Sequence, residues 1–267
     1  MSDEKSKATL LKEEIMMKGS KGAATLNAEE IKKADDFCVG YKKFLDHSPV
    51  EREAVSYTLE LAKKAGFTEY DENASYNAGD KVYYVNRDKA IALAVIGKSG
   101  VKNGARLAIA HIDSPRIDLK PNPLYEDTNL ALFKTHYYGG LKKYQWTALP
   151  LSLHGTVVKL DGTKVNITWG DDENESCFCV TDLLPHLAKD QVSKPLAKVF
   201  TGEDLNVLVG SRPYEDGNDE KDLVKLNVMS ILNKKYGIVE GDFLSAELCL
   251  IPSFKARDIG FDASMIG

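Results

Sequence analysis

A short apolar run that ends in a histidine, a carboxylate and a turn constrains this chain more than any other stretch. The run reads RLAIAHIDSP over residues 106–115. Residues 107–110 are continuously apolar between a glycine and a proline, which predicts a strand buried on both faces. Side chains two residues apart in a strand project from the same side, so we expect His111 and Asp113 to leave the strand end together.

This pair of side chains suits metal binding. The carboxyl end of a central strand is where open α/β sheets place their ligand sites. There, His111 would offer one ring nitrogen to a metal while Asp113 fixes the tautomer and orientation of the ring. The alternative is structural: a histidine that packs at a strand end, followed by an ordinary Asp-Ser-Pro turn. Spacing alone leaves both interpretations open.

A longer stretch around the motif resembles a known family. Residues 110–146 read AHIDSPRIDLKPNPLYEDTNLALFKTHYYGGLKKYQW. They closely resemble the aspartyl aminopeptidase and vacuolar aminopeptidase I family of zinc aminopeptidases, and within it the bacterial branch. The resemblance continues through residues 246–248 and 254–258, so it covers most of the chain. It implies a site for two zinc ions, other divalent ions being possible. In that site His111 matches the first metal-ligand histidine, and Asp113 matches the aspartate that orients this ligand.

The resemblance also implies the fold and the domain organisation. We expect an α/β protein with a zinc-peptidase-like mixed sheet flanked by helices, incomplete at the C-terminus, and an inserted β-rich dimerisation domain. The order of the sequence signals agrees, because helical and strand patterns give way to hairpin patterns and then to one more helix and strand. We place the partial peptidase domain at 1–117 and 243–267, and the inserted dimerisation domain at 118–242.

Capping patterns predict two helices near the N-terminus. Asn27 is the expected cap of the first helix, and Glu30 completes a capping box with it. Ser48 is the expected cap of the second helix, Pro49 its first residue, and Gly66 its left-handed end. These are local signals that need no knowledge of the tertiary fold.

Later segments carry β and turn signals. Residues 90–96 are apolar throughout and predict a central strand, whereas 118–146 lack a sustained period and resemble a linker or an oligomer-contacting segment. Residues 151–160 and 163–169 predict a hairpin about a type I′ turn at Asp161-Gly162. Further predicted features are a short helix at 181–188, an acidic solvated loop at 215–220, an amphipathic helix at 221–236 ended by Gly237, and a last strand at 245–251.

His154 is a second candidate for the site. The inserted domain of the family carries a histidine that reaches into the active site of a neighbouring subunit. By resemblance, His154 would polarise the substrate carbonyl or stabilise the oxyanion in trans. The alternative is a structural histidine on the outer face of a strand. Both interpretations stay open.

The resemblance includes one large departure. Members of the family extend well past Gly267, and their bridging aspartate, catalytic glutamate and remaining metal ligands lie beyond it. We therefore expect this polypeptide to bind metal poorly and to turn over little substrate by itself. The function implied is a metal-dependent aminopeptidase that removes N-terminal residues from peptides and self-associates to dimers or dodecamers. The alternative is a truncated, non-catalytic chain that forms oligomers.

Composition excludes several other classes of protein. The net charge of −5 gives no basic surface for a nucleic acid. The longest apolar run, at 90–96, is far shorter than the roughly twenty residues of a membrane span. The N-terminus lacks an apolar signal core, and the four cysteines form no Cys-x-x-Cys pair. We therefore expect a cytoplasmic hydrolase without nucleic-acid or membrane partners.

Overall fold

The structure is a computed structural model that describes residues 5–17, 19, 22–215 and 220–267. Most of the acidic loop expected at 215–220 lies outside the described residues. The chain divides into two compact units, Met1–Lys43 and Phe44–Gly267. Across the described segments, no helix is both long enough and apolar enough to cross a membrane.

The α-helices of the described residues range from four to twenty residues in length. They are α1 (Lys7–Ile15), α2 (Gly22–Thr25), α3 (Ala28–His47), α4 (Glu51–Lys64), α5 (Lys189–Val192), α6 (Leu196–Val199) and α7 (Leu223–Tyr236). Short 3-10 helices lie at Val101–Asn103, Lys143–Trp146, Gly202–Asp204 and Glu240–Ser245.

The described strands belong to three sheets. They are β1 (Thr68–Glu69), β2 (Lys81–Asn86), β3 (Ala90–Val95), β4 (Arg116–Asp127), β5 (Leu130–Tyr138), β6 (Leu151–Val158), β7 (Lys164–Trp169), β8 (Val207–Gly210), β9 (Ala246–Pro252), β10 (Asp258–Ile259) and β11 (Met265–Ile266). The sheet orders are β1-β2-β3, β10-β11 and β7-β6-β9-β4-β5-β8.

The helix caps were predicted well for α3 and partly for α4. Asn27 and Glu30 form the expected capping box, with reciprocal bonds of 2.9 and 3.0 Å. In α4 the expected Ser48 cap is wrong, because the helix begins at Glu51 after an extended Val50. Val50 is buried in a small cluster on β9, and this packing holds it outside the helix. Gly66, with φ of +84°, follows the end of α4 as predicted.

The three-stranded sheet is mixed, since β1 and β2 are parallel and β2 and β3 are antiparallel. Its strand β3 was expected to be central, but it lies at the edge of the sheet and is largely exposed. The strand expected at 107–110 is also absent from the described fold, and Leu107 and Ile109 are 81% and 88% exposed. A central strand needs a neighbour on each side, but the described residues pair β3 with β2 alone and pair 107–110 with no strand.

The six-stranded sheet is antiparallel and begins with a long hairpin. Strands β4 and β5 occupy most of the segment that was expected to be a linker or an oligomer-contacting segment. The linker alternative is wrong, and the oligomer contact stays a prediction. Two prolines obscured the pattern, and the ladder is interrupted where they lie, between Leu119 and Leu124. The hairpin turns at Thr128 and Asn129, which both have positive φ, as a type I′ turn requires.

The second hairpin, β6–β7, was predicted correctly, but its turn was not. Gly162 has φ of +84°, whereas Asp161 is not among the residues with positive φ, so the turn is not type I′. The Gly162 N–H donates to the carbonyl of Lys159, and the Lys159 N–H donates to that of Thr163. This pattern is typical of a type I turn followed by a glycine bulge.

Strand β9 lies between β6 and β4 and joins the two hairpins. The sheet therefore includes residues on both sides of the boundary expected at 242/243. Helix α7, which ends at Gly237 as predicted, packs through Val224 and Leu232 into the main core with the inner side chains of β5 and β6. The helix expected at 181–188 is wrong, because this segment forms an irregular turn.

Candidate active site

His111 and Asp113 contact each other although the segment between them is not a strand. The His111 Nδ1 atom lies 3.1 Å from Asp113 Oδ1 and 3.0 Å from the Asp113 carbonyl oxygen. Both contacts fit a ring that carries its proton on Nδ1, since both oxygens are acceptors. The imidazole is 84% exposed. This arrangement leaves Nε2 as the nitrogen that can bind a metal.

Tyr138 contacts the other oxygen of the same carboxylate. Its hydroxyl donates to Asp113 Oδ2 at 2.9 Å. This hydrogen bond lowers the pKa of Asp113 and raises the pKa of Tyr138. Asp113 is therefore ionised at neutral pH and accepts hydrogen bonds on both oxygens.

Arg116 supports the tyrosine from the neighbouring strand. Arg116 and Tyr138 are directly paired across β4 and β5, and the guanidinium lies 4.5 Å from the centre of the tyrosine ring. The same guanidinium contacts Asp118 and Glu51, each at 2.7 Å. The arginine is thus fixed from three sides, and it holds the ring at the end of the hairpin.

Gly139 brings the end of β5 close to the motif. A Cβ atom at this position would lie 2.7 Å from Pro115 Cα, which is too close for any other residue. Gly139 also has φ of +104°, where side chains are strained. The hairpin end and the turn after Asp113 are therefore in direct backbone contact.

His154 lies in a different environment, on β6 beneath α4. It is only 1% exposed, so the expectation of an outer-face histidine is corrected: the helix covers this face of the sheet. Its Nδ1 lies 2.9 Å from Glu53 Oε1 and its Nε2 lies 3.1 Å from Asp171 Oδ1. Ser152 Oγ is 3.2 Å from Nε2. Burial opposes the charged ring, but the hydrogen bonds with Asp171 and Glu53 outweigh it and raise the pKa of His154 to about 9.

The two histidines are not brought into one metal site. Within the part of the chain that the structure describes, no three His, Cys, Asp or Glu side chains form a group that could hold a metal. His111 fits one ligand position, since its second nitrogen is bonded to a carboxylate, as is usual for zinc ligands.

Sequence reasoning missed four residues that position one or the other of the two histidines, directly or through a partner. Tyr138 lies in the segment HYYGG, inside the stretch that carries the family resemblance, and this was the available signal. Arg116 follows the motif directly. Glu53 and Asp171 are 101 and 17 residues away from His154, and no local pattern linked them to it.

Comparisons with known proteins show which family the chain resembles over most of its length. The family model described as aminopeptidase I zinc metalloprotease (M18) matches residues 44–267. A probable M18 family aminopeptidase 1 of Clostridium acetobutylicum is 51% identical over 85% of this chain and 49% of its own length. The chain spans about half the length of the curated relatives it matches.

Solved structures give the same result for the fold. An M18 family aminopeptidase from Thermotoga maritima superposes with a TM-score of 0.87 at 41% identity, over 94% of this chain and 54% of that one. A dodecamer from S. cerevisiae matches with a TM-score of 0.62 at 17% identity, over 88% of this chain and 52% of that one. The second match shows the fold alone. The mixed α/β architecture expected from the sequence is confirmed.

Proposed function

The chain belongs to the M18 family of aminopeptidase I zinc metalloproteases, and we propose that it carries the first metal-ligand region of an enzyme that removes N-terminal residues from peptides. The observation that supports this most directly is the contact between His111 and Asp113. Histidines that bind zinc through one ring nitrogen commonly donate the N–H of the other to a carboxylate.

The roles of His111 and Asp113 follow from the position of the ring proton of His111. Asp113 accepts a hydrogen bond from the Nδ1–H group of His111, so the lone pair of Nε2 stays free to bind one of two zinc ions. When bound, zinc supplies a Lewis acid for the peptide carbonyl and an activated water. The described residues provide one ligand position of such a site.

The contacts of His154 support a structural role. Both of its ring nitrogens are bonded to carboxylates of the same chain. A role at the active site of a neighbouring subunit would require the ring to leave Glu53 and Asp171. We therefore propose His111 and Asp113 as the residues of the metal site, and His154 as a residue that ties α4 to the sheet.

We propose that the chain self-associates through the β-rich insert. The support is the dodecamer described for the yeast neighbour, which has the same fold. Because β9 is central in the six-stranded sheet, its topology favours an insert that ends after Pro252 rather than at 242.

The His111→Ala variant tests the proposed function. Zinc binding is measured by isothermal titration calorimetry, and cleavage is measured with a set of aminoacyl p-nitroanilides. We expect weak zinc binding that the variant loses, and we expect any cleavage to be removed both by a chelator and by the substitution.

The matched control is His186→Ala, which changes an exposed histidine outside the site and is expected to alter neither property. Zinc binding that survives His111→Ala, or cleavage that survives the chelator, would contradict the proposal. A polypeptide that forms oligomers without binding zinc would favour the non-catalytic alternative.

A further inference from the structure

The orientation of Asp113 has to be fixed by something other than the backbone. The segment from 104 to 115 has no regular secondary structure and is largely exposed. A carboxylate on such a segment has no ladder to hold it, and its side chain would rotate between staggered positions. The ring of His111, which depends on that carboxylate, would then lose its preferred tautomer as well.

Tyr138 supplies the missing constraint. Its hydroxyl donates to Asp113 Oδ2 at 2.9 Å, while Asp113 Oδ1 lies 3.1 Å from His111 Nδ1. The two oxygens of the carboxylate thus have different partners. The tyrosine occupies one oxygen and leaves the other for the imidazole, so the carboxylate is fixed in the orientation that the histidine needs.

The tyrosine is itself held by the sheet. It is the last residue of β5 and pairs with Arg116, the first residue of β4. The guanidinium of Arg116 lies over the ring and is fixed by Glu51 and Asp118. At the next position, Gly139 lies against Pro115 so closely that a Cβ atom would overlap it. These contacts attach the irregular segment to the ordered end of the β4–β5 hairpin.

We propose that Tyr138 is a positioning residue for the metal site, which orients Asp113 and through it His111. This inference rests on the proposed role of His111 as a metal ligand. It assigns to the β4–β5 hairpin a function besides packing: the hairpin sets the geometry of a ligand that lies outside the sheet.

The test removes only the hydroxyl. Tyr138→Phe keeps the ring over Arg116 and removes the hydrogen bond to Asp113. The matched control is Tyr125→Phe, which changes a tyrosine of the same hairpin whose ring contacts Lys134. Folding of each variant is checked by circular dichroism and by the midpoint of thermal unfolding.

The first readout is the tautomer of His111, obtained from the nitrogen chemical shifts of its ring at one pH of about 8, above the usual imidazole pKa. We expect the proton on Nδ1 in the unmodified chain and in Tyr125→Phe, and a mixture of tautomers in Tyr138→Phe. An unchanged tautomer in a folded Tyr138→Phe variant would overturn the inference.

The second readout is zinc affinity in a double-mutant cycle. We expect Tyr138→Phe to weaken zinc binding by roughly tenfold, the lower end of the effect of losing a partner of a ligand. In the Asp113→Ala background the same substitution should have no further effect, because the tyrosine acts only through the carboxylate. Equal effects in both backgrounds would overturn the inference. If instead His111→Ala leaves the zinc affinity unchanged, the proposed function fails. The tautomer measurement still tests whether Tyr138 orients Asp113, because it needs no metal.

Discussion

His111 and His154 both contact carboxylates but lie in opposite surroundings. His111 is 84% exposed and has one carboxylate partner, on Nδ1, whereas His154 is 1% exposed and has carboxylates at both nitrogens. The first keeps a nitrogen free for a metal, and the second does not. The comparison teaches that a carboxylate neighbour alone does not define a ligand, since the second nitrogen decides what the ring can do.

The charge of His154 also disfavours metal binding. The pKa of His154 is raised to about 9, because its hydrogen bonds to Asp171 and Glu53 outweigh the cost of burial, so the ring is cationic at neutral pH. A cationic imidazole has no lone pair to offer a metal. His154 is therefore suited to join elements of the fold and unsuited to bind zinc in this conformation.

The largest expected effect comes from removing the buried ring. His154→Ala should lower the free energy of unfolding by about 3 kcal/mol, because it leaves two carboxylates beneath α4 without their cation. We take the lower end of the usual range since Glu53 and Asp171 are partly exposed. Urea unfolding measures the change, and His186→Ala serves as the exposed control. Equal effects of the two substitutions would break the comparison.

The pH dependence of stability gives a second, smaller effect. The pKa of His154 is higher in the folded chain, about 9, than its ordinary value of 6.5. Its stabilising effect is thus complete below pH 6.5 and is lost as the pH rises through 9. The change in pKa corresponds to roughly 3 kcal/mol, and solvent screening at the partly exposed carboxylates reduces it. We therefore expect the difference in unfolding free energy between the unmodified chain and His154→Ala to shrink by about 2 kcal/mol from pH 6 to 10. A difference that is constant with pH would show that the pKa of His154 is the same in the folded and the unfolded chain, so that the two carboxylates do not stabilise the charged ring.

The third prediction concerns the contact beside the exposed histidine. Gly139→Ala combines a strained φ with overlap on Pro115, whereas Gly162→Ala has a strained φ and open space. The first should therefore reduce the unfolding free energy by about 1 kcal/mol more than the second. Thermal or urea unfolding of the pair measures this difference. Equal losses would mean that the turn after Asp113 shifts to accommodate the added Cβ atom at position 139 without a loss of unfolding free energy.

The smallest expected effect completes the comparison. His111→Ala should change the unfolding free energy by less than about 0.5 kcal/mol, because the side chain is exposed and packs against little. The same urea experiment measures it. A loss as large as that of His154→Ala would show that His111 has a structural role and would remove the contrast between the two histidines.

Local sequence signals predicted what local interactions determine. His111 and Asp113 lie together as expected, although the strand geometry from which this was expected is absent from the described fold. The capping box of Asn27 and Glu30, the glycine after α4 and the β6–β7 hairpin depend on neighbours within a few residues. Each is a short-range hydrogen bond or a conformational preference, so the sequence contains most of the information needed.

Features that depend on distant partners were not predictable in this way. The apolar segment at 107–110 has the pattern of a buried strand, but burial requires neighbouring strands that the pattern does not contain. The buried cluster of His154 joins a helix, a strand and a loop, and its carboxylates come from remote positions. The β4–β5 hairpin was missed because prolines interrupted its alternation, while its pairing resumed beyond them.

The position of β9 has a consequence for how the chain folds during synthesis. The strand joins β6 to β4, so it lies at the centre of the six-stranded sheet although it is the last of its strands to be made. Before β9 is made, single bridges through Phe178 and Cys179 link β6 to β8, but the ladders that join β6 and β4 through β9 cannot form. Until then β4 and β6 each keep an unpaired edge, a feature that makes folding intermediates prone to aggregate.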